Sequence, residues 1–84
     1  MPMTSQIEIV RVDVAPGGAL EQDQSGLWVF PTIIRLRDGQ HIDFLWCSHD
    51  QLQAREDFAG MPREVAPGLM SYEPSTGDVI TRLF

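Results

Sequence analysis

Hydrophobic and polar positions alternate along most of this chain, and that alternation predicts strands. In residues 6–14, QIEIVRVDV, Ile7 and Ile9 share one parity while Val10, Val12 and Val14 share the other. One extra residue in a strand swaps its faces. The switch at Ile9–Val10 therefore predicts a β-bulge, with Arg11 and Asp13 turned to solvent after it. Residues 27–37, LWVFPTIIRLR, predict a second strand and residues 40–47, QHIDFLWC, a third. Pro31 has no N–H to give a ladder, which points to an edge strand or a bulge.

Asp38-Gly39 between these strands is a hairpin signal. A two-residue loop would pair Arg37 with Gln40 and mix polar with apolar side chains on both faces. A three-residue loop, with Gly39 in the left-handed conformation, pairs Leu36 with Gln40, Ile34 with Ile42, Thr32 with Phe44 and Phe30 with Trp46. One face then carries Phe30, Ile34, Leu36, Ile42, Phe44 and Trp46. The other carries Arg35, Arg37, His41 and Asp43. A buried face fixes register, so the bulged three-residue turn is expected.

The remaining segments are shorter or less regular. Residues 15–26, APGGALEQDQSG, show no period and read as a long loop, a candidate binding arm. Ser48 with Gln51 three residues later forms a capping-box pattern. A short helix through about Phe58 follows, with Leu52 and Phe58, plus Ala54 or Ala59, as its apolar anchors. Asp50 suits the positive end of the helix dipole, whereas Glu56 and Asp57 do not. Residues 59–68 hold two Pro and two Gly and read as a loop. Residues 69–73 and 78–84 form a second hairpin around PSTG at 74–77, a four-residue connection built on a type I turn. Its last residues, Leu83 and Phe84, need a cover from the core or another chain. The fold class expected is α+β, an antiparallel sheet of about five strands in the order β-β-β-α-β-β with one short helix. The alternative is an SH3-like small barrel.

Composition narrows the function classes. With 84 residues, 43% hydrophobic and 21% charged, the chain is one globular domain, residues 1–84, with a single small core. Acids outnumber bases twelve to six, the net charge is −6, and the arginines are scattered. Nucleic acid needs a cationic stripe and is excluded as the expected ligand. Lysine and asparagine are both missing, where average usage gives roughly eight between them. Both use A-rich codons, so a high-GC genome is indicated, that of a bacterium or its phage. The lone Cys47 forms no internal disulfide, which fits a reducing compartment. The start, MPMTSQIEIVRV, lacks the cationic head and apolar run of a signal peptide, and no window is long enough to span a membrane. The cytoplasm is the expected location.

The candidate chemistry is thin. Cys47 lies beside a helix start with His49 two residues on, which could lower a thiol pKa. Yet no oxyanion loop or glycine-rich elbow accompanies the pair, and a lone strand-end cysteine reads better as a small buried hydrophobe. His41 and Asp43 share a strand face, but two histidines without a CxxC make a weak metal set. They read as a solvated polar face with Arg35. No catalytic residue, metal or cofactor is expected. The aromatic residues supply the core, with Trp28, at the exit of the long loop, singled out as an interface anchor. The function expected is a small acidic, non-enzymatic protein-binding module of inhibitor, immunity or regulatory type. Its contact residues would be Glu21, Asp23, Trp28, Arg35, Arg37, His41 and Asp43, and its partner another protein with a basic surface. The alternative is a structural, homo-oligomer-forming β domain or an accessory subunit of a larger complex.

Overall fold

In the computed structural model, which describes residues 6–82, the first alternating segment forms β1 (Ile7–Val14). It is followed by β2 (Glu21–Gln22), β3 (Trp28–Leu36), β4 (His41–Ser48), α1 (Gln51–Ala59), β5 (Arg63–Glu64), β6 (Met70–Glu73) and β7 (Asp78–Thr81). Five main strands run antiparallel in the order β4-β3-β1-β6-β7 and curl into a half-barrel, compatible with a small α+β fold or an SH3-like barrel.

The bulge in β1 is where the parity switch put it. The pairing with β3 slips between Ile9↔Leu36 and Arg11↔Arg35, so Ile9 and Val12, three residues apart, are both fully buried. The β3–β4 hairpin adopts the bulged three-residue turn. Leu36 N–H donates to the Gln40 carbonyl at 2.8 Å and Gly39 N–H to the Leu36 carbonyl at 3.0 Å. Gly39 takes φ +92°, a backbone conformation glycine adopts without steric cost. The ladder pairs Ile34 with Ile42, Thr32 with Phe44 and Phe30 with Trp46, which is the register that sorts the faces. Phe30, Ile34 and Leu36 are buried, and Ile42, Phe44 and Trp46 pack half-buried on the same side.

Four local expectations are corrected. Pro31 is not on an edge: β3 pairs with β4 on one side and with β1 and β2 on the other. The Pro31 carbonyl accepts from Ala15 N–H at 3.0 Å. The N and C=O of one strand residue point the same way, so its missing N–H faces the gap where β1 has ended and β2 has not begun. The 15–26 segment is not wholly loop, because Glu21 and Gln22 pair with Val29 and Trp28. Gly18 lets this segment close on the sheet, since a Cβ there would lie 2.7 Å from the Pro31 ring. Within 59–68, Arg63 and Glu64 likewise pair with Val12 and Arg11. Two-residue strands are too short to show a period, which is why neither was visible.

The fourth correction concerns the helix. Its N-cap is Asp50, whose carboxylate accepts from Leu52 and Gln53 N–H, not Ser48. The Ser48 hydroxyl instead bonds the backbone of Asp50 at 3.1–3.2 Å and sets up that cap. Ala54 and Phe58, one turn apart, face the sheet, whereas Leu52 is 66% exposed. At 3.6 residues per turn, two positions rotate a side chain by about 200°, so Leu52 and Ala54 cannot share a face. The second hairpin follows its expectation, with Glu73↔Asp78 closing the four-residue loop. The expected cover over Leu83 and Phe84 lies outside the described residues.

Candidate functional site

The outer, convex side of the sheet gathers the polar side chains that alternation throws away from the core. One row across it reads Glu64, Arg11, Arg35, His41, and the next reads Asp13, Ile33, Asp43. Directly opposed side chains in such rows stand about 5 Å apart. Asp13 accepts from Arg11 Nε at 3.0 Å and from Arg35 Nε at 3.4 Å, and Arg11 also reaches Glu64 at 3.4 Å. These four charges neutralise one another. Asp43 and His41, both exposed, take part in no ion pair among the described residues.

Beyond Asp43 the outer face turns apolar. Leu45 sits next on that side of β4 and is 53% exposed, with half-buried Pro31 paired to it and Ile33 beside it. Ala15, Pro31, Asp43 and Leu45 border an open groove of about 420 Å³. Arg11, Asp13, Ile33, Arg35 and Pro16 border another of about 540 Å³. Cys47 follows Leu45 on the same face and is exposed, which corrects the expectation of a buried thiol. Its Sγ lies 3.4 Å from the Leu45 carbonyl.

The structure brings together only part of the expected contact set. Arg35, His41 and Asp43 are neighbours on the outer face. Glu21 pairs with Val29 and so shares that face, but six residues along β3 from Arg35, roughly 20 Å away. Trp28 has the parity of Phe30, lies on the opposite, inner side and is half-buried, so it cannot join the same flat surface. Arg37 stands in the hairpin turn, where its guanidinium bonds Glu8. Asp23 is engaged by its own turn. Its carboxylate accepts from the Ser25 hydroxyl at 2.7 Å, Ser25 N–H at 2.9 Å and Leu27 N–H at 3.0 Å. The Ser25 hydroxyl, ahead of the Leu27 and Ser25 amides, holds the Asp23 carboxyl below its ordinary range, while desolvation opposes it.

Arg11, Asp13 and Leu45 were missed as members of the surface. Parity alone turned Arg11 and Asp13 to solvent, but their place beside Arg35 depends on β1 pairing with β3. Leu45 falls on the polar face by the same parity count, and that count was the signal available for it. Among the described residues no group of three or more His, Cys, Asp or Glu is placed to hold a metal ion, and no helix is long and apolar enough to cross a membrane. Comparison with protein-family models, with curated proteins and with solved structures returned no match.

Proposed function

We propose that the chain is a small acidic protein-binding module without enzymatic activity, of inhibitor, immunity or regulatory type, acting in the cytoplasm of a bacterium or in phage infection. The observation that carries this reading is the outer patch at Leu45. A half-exposed leucine, flanked by Pro31 and Ile33, is rimmed by Asp43 and His41, which form no ion pair among the described residues. Apolar centres with polar rims mark recognition surfaces on small soluble proteins. The net charge of −6 favours a partner with a basic surface, through faster encounter and correct orientation.

Affinity capture from a lysate of the encoding cells tests the proposal. One partner should be retained in stoichiometric amount, released progressively as salt rises, and lost on Leu45→Asp with Asp43→Arg. Retention that is indifferent to both salt and these substitutions would count against the patch.

The second reading, a self-associating β domain, draws on the ends of the sheet. β4 and β7, the outermost of the five main strands, each pair with one neighbour only among the described residues, which leaves an edge of each open.

A further inference from the structure

The edge of β4 away from β3 carries backbone groups that no strand pairs among the described residues. In an antiparallel strand, alternate residues turn their N–H and C=O groups to opposite sides. The bond from Leu36 N–H to the Gln40 carbonyl fixes the phase, so Gln40, Ile42, Phe44 and Trp46 face β3. The Thr32 hydroxyl, which donates to the Phe44 carbonyl at 2.6 Å, agrees with it. The backbone groups of Asp43, Leu45 and Cys47 therefore point away from β3, to a side that no strand occupies among the described residues.

Grooves flank this edge on both faces. The outer one, about 420 Å³, holds Pro31, Asp43 and Leu45. The inner one, about 260 Å³, is the seam where the half-barrel stays open, between Phe44 and Trp46 of β4 and Met70 and Val79 of the far end of the sheet. Leu45 borders both. A strand laid against β4 would send its side chains alternately to the two faces, hence alternately into the two grooves. The inner groove offers Phe44, Trp46, Met70 and Val79 with Thr81 at its border. The outer one sets the carboxylate of Asp43, which forms no ion pair among the described residues, at the rim of a mostly apolar lining.

Resting on the protein-binding reading above, the geometry points to strand addition: the β4 edge takes an extended segment of another protein, in which apolar residues seated in the seam alternate with Arg or Lys facing Asp43. A second copy of this chain is the poorer occupant. Antiparallel self-pairing about Leu45 would set Asp43 against Cys47 and bring together two chains of net charge −6.

Short random peptides displayed in a library and selected on the immobilised chain provide the probe. Enriched sequences should alternate apolar residues with Arg or Lys. The bound peptide should slow hydrogen exchange at the Asp43, Leu45 and Cys47 amides by about tenfold or more and leave Ile42 and Phe44 unchanged. Leu45→Pro removes an outward N–H without removing a ladder bond, and Leu45→Lys keeps the N–H but blunts the edge. Each should weaken peptide binding about tenfold, the lysine variant serving if the proline variant does not fold. Failure to enrich any peptide, apolar spacing of three and four residues in those enriched, or unchanged exchange at the three amides would overturn strand addition. So would protection of those amides in a concentration-dependent dimer without peptide. A lysate partner that leaves the three amides unprotected overturns strand addition alone. Absence of any lysate partner bears on the broader reading.

Discussion

The Trp46 indole N–H donates to the Asp57 carboxylate at 3.1 Å, and this bond joins β4 to the last turn of the helix. It gives a reason for an acid where the helix dipole disfavours one. Gln53 supports the same carboxylate at 2.9 Å from one turn earlier. Phe58 beside it meets Phe30 edge to face, with ring centroids 5.2 Å apart, and Phe30 stacks on Trp46 at 6.1 Å. The helix is thus held by one aromatic contact, Phe58 on Phe30, and one charged hydrogen bond, and the Phe30–Trp46 stack ties together the two strands beneath it.

Asp57→Ala should cost about 1 kcal/mol in urea unfolding, through loss of a partly buried hydrogen bond to a charged acceptor. Asp57→Asn keeps an acceptor and removes the unfavourable charge, so it should stay close to wild type. An Asp57→Ala variant as stable as wild type would show that the indole bond contributes nothing.

The cap assignment separates two neighbouring residues. Asp50→Ala removes the acceptor for two helix amides and should cost about 1 kcal/mol. Ser48→Ala, which touches only the Asp50 backbone, should cost clearly less. The reverse order in thermal unfolding would restore Ser48 as the cap.

Phe30 is the largest of the fully buried side chains. Phe30→Ala should cost about 3–5 kcal/mol, against a total stability of roughly 4–12 kcal/mol for a chain of this length. Circular dichroism should show a population partly unfolded at room temperature, while Leu45→Ala on the outer face leaves the melting curve nearly unchanged. A well-folded Phe30→Ala variant would mean that the core lies elsewhere.

Glu8 ties three segments together. It bonds the Arg37 guanidinium in the hairpin turn and accepts from Gly68 N–H at 2.7 Å. The Arg37 hydrogen bond first, and the Gly68 amide second, hold its carboxyl below the ordinary value of 4.5. The folded chain then binds this proton more weakly than the unfolded chain. Its stabilisation is complete above pH 4.5 and is lost as the pH falls through the lowered folded value. Glu8→Gln should melt below wild type at neutral pH, and the gap should close as the solution is acidified beneath pH 4.5. A gap that is constant with pH would exclude the charge as its source.

Much of the architecture was legible because alternation and a buried face over-determine register. Ile9 and Val12 announced the bulge, and the sorting of Phe30, Ile34 and Leu36 against Ile42, Phe44 and Trp46 selected the turn. Short pairings were not legible. Glu21–Gln22 and Arg63–Glu64 become strands only because β3 and β1 pass beside them. Leu52 was misplaced because a nine-residue helix has too few apolar positions to reveal its face. The surface was half legible: parity gave Arg35, His41 and Asp43 a common side. The sequence could not show that Asp23 serves its own turn or that Glu8 engages Arg37, whereas the parity that Trp28 shares with Phe30 already placed it across the sheet from the others.

Light scattering of the purified chain, alone and with its captured partner, tests the central claim most directly. A monomer near 9.4 kDa alone, converted to a defined complex by the partner and left a monomer when Leu45→Asp and Asp43→Arg are combined, is the result expected of a binding module with its site on the outer face and edge of β4. A stable species at a multiple of 9.4 kDa with no partner present would contradict it and favour a self-assembling domain.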